Sequence, residues 1–179
     1  MTIKEKKMSE LDISIRQAIP TDAKQLMEVM SLLNQETPYL VVSPHALNMP
    51  VSSMEKEVDY IYQQDNQLIL LALNHEEIIG IATLVSQEDK SFEHIGEVGI
   101  TIKKDYWGIG LGTIMLEEII ELAKTSTTTK RLEINVQKRN TRAFSLYEKV
   151  GFSIDGIKEK GILSEDNELI DVIMMSYLI

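Results

Sequence analysis

Asp105-Tyr106-Trp107-Gly108-Ile109-Gly110-Leu111-Gly112-Thr113 places three alternating glycines between two contrasting neighbours. Ahead of it stands a strand-like run, Val98-Gly99-Ile100-Thr101-Ile102, and behind it Ile114–Lys124 carries an amphipathic helical pattern. The chain has only nine glycines, and three fall within five positions at the entrance to a helix. A helix N-terminus exposes unpaired N–H groups and the positive end of the peptide dipole, and glycine lets an anion approach the backbone with no Cβ in the way. The stretch therefore reads as a phosphate cradle.

Two familiar cradles fit poorly. A P-loop needs Gly-Lys-Ser/Thr, but Gly112 is followed by Thr113-Ile114. A dinucleotide fingerprint needs a glycine where Thr113 stands and a first glycine directly after the strand, whereas Lys103–Trp107 intervene. Glu133 alone lies near the distance expected of a ribose-binding acid. A purely structural turn remains open at this point.

Composition narrows the field. At 179 residues, 44% hydrophobic and 26% charged, the chain has the makings of one globular core. Residues 1–11 read as a polar tail and 12–179 as a single domain. No apolar run reaches the roughly 18 residues of a membrane span, and Lys4, Lys6 and Lys7 lead into polar sequence, unlike a secretory signal. The absence of cysteine excludes disulfides and a cysteine nucleophile. A cytoplasmic location is expected. His45, His75 and His94 have no metal-ligand spacing, so no metal is expected. A net charge of −10 argues against a nucleic-acid partner. Between Lys124 and Lys149, however, seven basic residues face only Glu133 and Glu148. This is either a solvated helix face or an anion site beside the glycine loop.

Hydrophobic periodicity predicts the order β-α-α-β-β-β-α-β-α-β-β. Strands fall at Ile13–Ala18, Leu68–Leu73, Ile78–Val85, Ile95–Ile102, Arg131–Val136, Phe152–Lys160 and Leu169–Leu178. Helices begin at Pro20-Thr21-Asp22, at Ser53 (capped by Ser52 or Ser53), at the glycine loop and at Thr141. Gln35–Pro50 holds three of the four prolines and reads as a long loop. Hairpins first and βα crossovers later predict an α/β (α+β) fold: a mixed, mostly antiparallel sheet of about seven strands flanked by about four helices.

A second block decides the family. Asn140-Thr141-Arg142-Ala143-Phe144-Ser145-Leu146-Tyr147-Glu148-Lys149-Val150-Gly151-Phe152 starts on an N-capping Asn140 and stops at Gly151. Asn140, Phe144 and Tyr147 share one helix face. Together with Trp107-Gly108-Ile109-Gly110-Leu111-Gly112, it resembles the GNAT superfamily of N-acetyltransferases. That family has a strand, then Gln/Arg-x-x-Gly-x-Gly/Ala, then a helix, and later N-x-x-A-x-x-x-Y-x-x-x-G-F. Trp107 departs from the usual Gln or Arg. The resemblance covers roughly residues 12–178, with its central motifs in 98–152.

It implies acetyl-CoA as donor and a primary amine of a small molecule or peptide as acceptor. The diphosphate would lie on the amides of Gly108, Ile109, Gly110, Leu111, Gly112 and Thr113, beside Trp107. Asn140 and Arg142, with Arg139 as an alternative to Arg142, would complete the donor site. The pantetheine arm would pair with Ile100-Thr101-Ile102, where a backbone N–H would polarise the thioester carbonyl. Tyr147 stands in the family's general-acid position. With no cysteine, direct attack by the amine is implied. An alkyl amine of pKa about 10 must shed a proton first. Alternation through 93–102 nominates Glu97 as base and Glu93 as second. The loop Gln35–Pro50, with Glu36, Tyr39 and His45 and with Glu55 and Glu57 nearby, would wall the acceptor site. Its carboxylates lean towards a cationic acceptor: a peptide N-terminus, polyamine, aminoglycoside or lysine. A homodimer is the family's habit. The competing reading is a silent acyl-CoA-binding sensor, to which Trp107 alone points.

Overall fold

The computed structural model describes residues 11–39, 48–87, 89–164 and 166–179. Seven strands form one sheet: β1 Ile13–Gln17, β2 Leu68–Asn74, β3 Glu77–Ser86, β4 Ile95–Ile102, β5 Arg131–Gln137, β6 Ser153–Leu163 and β7 Leu169–Leu178, in the order β1-β2-β3-β4-β5-β7-β6. Every neighbouring pair is antiparallel except β4 and β5, which run parallel. Parallel neighbours need a crossover, and here it is the helix that follows the glycine loop. Among the described residues the α-helices are α1 Ala23–Glu36, α2 Val51–Tyr62, α3 Leu111–Thr125 and α4 Thr141–Lys149. The order of elements along the chain, the mixed and mostly antiparallel pairing and the helices among the described residues match the expected fold.

Two cores lie on opposite sheet faces. Strand β2 alternates its apolar side chains between them and is buried almost throughout. On one face Leu70, Ala72, Val98, Leu132, Ile134 and Met175 meet Leu111, Met115, Leu116 and Ile119 of α3, with Tyr147 of α4. On the other, Ile69, Leu71 and Ile81 meet Leu26 and Leu33 of α1 and Met54, Val58 and Ile61 of α2. The helix pair α1 and α2 packs over β2 and β3. Among the described residues, no helix covers β5, β7 and β6 on that side.

Several boundaries differ from the sequence reading. Helix α2 starts at Val51 behind Pro50, whose fixed φ pre-forms an N-terminus; neither Ser52 nor Ser53 is the cap. Pro20–Asp22 form a 3-10 turn before α1. There Asp22 accepts the Ile19 amide at 2.8 Å and both terminal guanidinium nitrogens of Arg16 at 2.7 and 2.8 Å. Residues 40–47, including His45 of the expected acceptor wall, lie outside the described residues.

The hydrogen bonds from Arg16 and the Ile19 amide hold the Asp22 carboxyl below its ordinary value, against some desolvation. A lowered folded-state value means the stabilisation is present above the unfolded carboxylate range and is lost as pH falls through the folded value. Asp22→Ala should cost about 1 kcal/mol at pH 7, Arg16 being well exposed. Urea unfolding of both proteins should show the gap shrinking below about pH 4.

Candidate active site

The glycine loop takes its shape from alternation. Ile109 and Leu111 are buried in the core beneath α3, which turns the intervening glycines outward. Gly108 and Gly110 adopt φ of +79° and +98°, a left-handed conformation that side-chain-bearing residues rarely occupy. Gly110 caps α3, and its carbonyl accepts the amides of Thr113 and Ile114 at 3.0 and 3.3 Å. The amides of Gly108, Ile109, Gly110, Leu111 and Gly112 have no protein acceptor among the described residues. Gly112 lies close against α4: a Cβ there would stand 2.9 Å from Leu146 Cδ2 and would push that side chain aside.

Trp107 is not a vacant slot. Its indole Nε1–H donates to the Ile102 carbonyl at 2.6 Å, tying the loop to the end of β4. Its ring lies under the Arg142 guanidinium, 4.6 Å from the centroid. Lys149, seven residues along α4 from Arg142, comes within 3.5 Å of Thr113 Oγ1. Arg142, Leu146 and Lys149 thus form one stripe of α4 against the loop. Sequence reading counted Lys149 in the basic cluster without placing it there; its i+7 spacing from Arg142 is the signal that would have done so. Arg139 faces elsewhere: it donates to Gln137 Oε1 at 2.9 Å and Glu168 at 3.2 Å, and lies over Tyr39. Its guanidinium is already engaged there, so Arg142 is the α4 arginine at the loop. Asn140 caps α4 by accepting the Ala143 amide at 3.2 Å.

Strands β4 and β5 pair over only three rungs, Ile95 with Arg131, Gly96 with Leu132 and Glu97 with Glu133. Beyond Glu97, the β4 edge that includes Ile100, Thr101 and Ile102 has no strand beside it among the described residues, and the split opens towards the glycine loop. The Ile102 carbonyl is the one already used by Trp107.

Tyr147 is 6% exposed, packed against Phe152 at 6.2 Å between ring centroids. Burial pushes its hydroxyl up to about 12. That hydroxyl has no hydrogen-bond partner among the described residues. Glu97 is exposed on the sheet face opposite Val98, beside the last paired rung. Glu93 is not on the strand, since β4 begins at Ile95. It lies in the preceding turn, where its carbonyl accepts Asn66 Nδ2 at 3.2 Å. The alternation that aligned it with Glu97 does not extend that far.

The expected acceptor wall falls partly within the described residues. Glu36 Oε2 accepts the Lys104 amide at 3.0 Å, and the Pro38 carbonyl accepts Gln137 Nε2 at 3.3 Å. The end of α1 is thereby joined to both arms of the split. Glu55 and Glu57 are exposed on α2. No group of three or more His, Cys, Asp or Glu among the described residues could hold a metal. No helix among them is long and apolar enough to cross a membrane.

These features define a family. The model of the acetyltransferase (GNAT) family matches residues 28–152, and the chain belongs to that family. An acetyltransferase of the GNAT family from Streptococcus pneumoniae superposes with a TM-score of 0.90 at 37% identity, covering 94% of this chain and 100% of that one. A phosphinothricin acetyltransferase from Sinorhizobium meliloti, solved in complex with AcCoA, shares the fold at 16% identity and a TM-score of 0.74, over 93% of this chain and 88% of its own. In sequence, the L-amino acid N-acetyltransferase AaaT of Escherichia coli (strain K12) is 26% identical over 107 residues. That match spans 60% of this chain and 65% of the relative's length.

Trp107→Phe keeps a ring under Arg142 but leaves the Ile102 carbonyl without its donor. It should cost about 1 kcal/mol in chemical denaturation. Gly110→Ala, forced into the left-handed region, should cost about 1–2 kcal/mol by the same measurement.

Proposed function

We propose that this protein transfers an acetyl group from acetyl-CoA to a primary amine, both held in one ternary complex. The observation that carries this reading is the split between β4 and β5, whose unpaired edge runs into a ring of bare amides at the mouth of α3. An extended arm with amide groups can complete such an edge as a strand would. A diphosphate can take the amides of Gly108–Gly112; that of Thr113, nominated with them from the sequence, is already donated to the Gly110 carbonyl. Arg142, braced by Trp107, and Lys149 stand where a further phosphate would be met. Acetyl-CoA supplies the diphosphate, the amide-bearing arm and the acetyl thioester.

The remaining steps fall to side chains. A β4 backbone N–H donates to the thioester carbonyl as negative charge grows on its oxygen. Glu97, directly or through water, takes the proton that the attacking ammonium must lose; Glu93 is the more remote second choice. Tyr147 donates a hydrogen bond to the departing sulfur. A phenol at about 12 keeps its proton in the presence of a thiolate of pKa about 8.5, so its contribution is the hydrogen bond, with solvent completing the thiol. The acceptor amine is that of a small molecule or peptide, as befits a relative that is an L-amino acid N-acetyltransferase. The cysteine-free composition suits a reducing, cytoplasmic setting.

Acetyl-CoA should raise the thermal midpoint where NAD and ATP do not; stabilisation by NAD alone would overturn this reading. Across an amine panel with free-thiol detection, Tyr147→Phe should lower kcat by about 100-fold, as loss of one donor to a developing charge does, with donor affinity within about twofold, the hydroxyl contributing chiefly as sulfur departs. The wild-type rate should climb with pH as the amine (pKa about 10) deprotonates, with no fall below pH ~10 from Tyr147. An unchanged rate in Tyr147→Phe removes the hydroxyl from the mechanism, and thiol release by no amine at all favours the sensor.

A further inference from the structure

The sheet face left open by α1 and α2 carries a cavity of about 510 Å³ over β5, β7 and β6, within the size range of small-molecule sites. It borders the β4–β5 split through Glu133 and Asn135, and it lies on the same sheet face as Glu97. No sequence motif pointed to it. A bulge in β6 builds its far wall. The pairing with β7 slips between Lys158 and Ile162, Lys160 takes a left-handed φ of 51°, and its amide donates to Asp171 Oδ1 at 3.1 Å. Gly161 is packed so tightly that a Cβ would lie 2.9 Å from Val172 Cγ2 and 3.0 Å from the Lys158 carbonyl oxygen. Bulges of this kind re-aim side chains near functional sites. This one leaves Lys158 lining the cavity.

Charge is sorted across that cavity. Arg131 donates to Glu133 at 2.6 Å and also pairs with Asp155, which in turn accepts the Ser176 hydroxyl at 2.9 Å. The arginine is therefore spent on two fixed carboxylates. Lys158 has no ion-pair or hydrogen-bond partner among the described residues. Between the two ends, Met174, Val172 and Ile162 supply an apolar floor. Glu133 of β5 is thus the lining carboxylate nearest the split, and Lys158, on the far strand β6 with Asp155, is the lining cation whose side chain has no partner among the described residues.

Resting on the acetyl-transfer reading, we infer that this cavity binds the body of the acceptor, and that the acceptor is a short peptide with a free N-terminus and a free carboxylate, the latter paired with Lys158. Spacing sets the length. Lys158 stands two strands and about two residues from Asn135, on the order of 12 Å between backbones, and its side chain reaches back into the cavity. What remains suits about two residues of extended chain, roughly 7 Å. A free α-amino acid, with one carbon between its charges, is too short to reach both ends. The floor selects an apolar second residue.

The test compares Ala-Leu, its C-terminal amide and free alanine as acceptors, for the wild type and Lys158→Gln. The wild type should prefer Ala-Leu over both others. Lys158→Gln should raise KM for Ala-Leu about 5- to 10-fold and leave kcat and the KM of the amide within about twofold. The acetyl-CoA thermal shift should be unchanged, since Lys158 lies outside the donor site. Equal KM for Ala-Leu and its amide in the wild type, a preference for free alanine, or a Lys158→Gln effect common to acid and amide would each overturn the inference. Calorimetric titration of the same ligands into CoA-loaded protein reads the cavity without turnover. Should no amine release thiol, the acetyl-transfer reading falls, while tighter binding of acid than amide, abolished in Lys158→Gln, would still support the cavity's role. Equal binding of the two would sink it.

Discussion

Two parallel strands that stay together for three rungs and then part set the plan of this molecule. Had β4 and β5 remained paired along their full length, both edges would be satisfied and the sheet would have no opening between its halves. They separate after Glu97 and Glu133, and the unpaired edge of β4 leads to the outward-facing amides before α3. Backbone groups left free at a sheet edge are a template for whatever can pair with them. Here the edge is short and is flanked by the end of α1, which is hydrogen-bonded to both sides through Glu36 and Pro38.

Helix α4 divides its labour by face. One stripe, Arg142, Leu146 and Lys149, lies against the glycine loop, with Leu146 filling the space that Gly112 leaves. Tyr147 turns into the core instead, and its burial is what raises its hydroxyl. A helix of nine residues thereby sets two cations against the glycine loop and buries a phenol in the core. Trp107 belongs to the same construction. A residue that looked like the weak point of the motif is held by two contacts, its indole N–H on Ile102 and its face under Arg142.

The chain is strongly acidic, yet its few cations are placed with economy. Arg16 secures the turn into α1, Arg131 ties β5 to β6, and Arg139 lies over the Tyr39 ring while pairing with Glu168. Arg142 and Lys149 gather at the loop, and the Lys158 side chain, lining the open cavity, has no partner among the described residues. Net charge alone spoke only against nucleic acid; which cations are engaged with carboxylates and which are available depends on contacts between residues far apart in the chain.

Local chemistry determined much of this protein. Alternating glycines, the Asn140 cap and the Gly151 stop act through φ/ψ preferences and hydrogen bonds within a few residues. Strand order class, helix positions and the two motif blocks were therefore legible from residues alone. The extent of β4–β5 pairing, the partner of the Trp107 indole, the diversion of Arg139 to Glu168 and Tyr39, and the β6 bulge that brings Lys158 to the cavity were not. Each depends on where a distant segment ends up, and neither a 2.0- nor a 3.6-residue period encodes that. Glu93 marks the boundary: alternation could be counted back to it, but only the packed sheet decides where the strand begins, because pairing there requires a neighbour with its own backbone groups to offer.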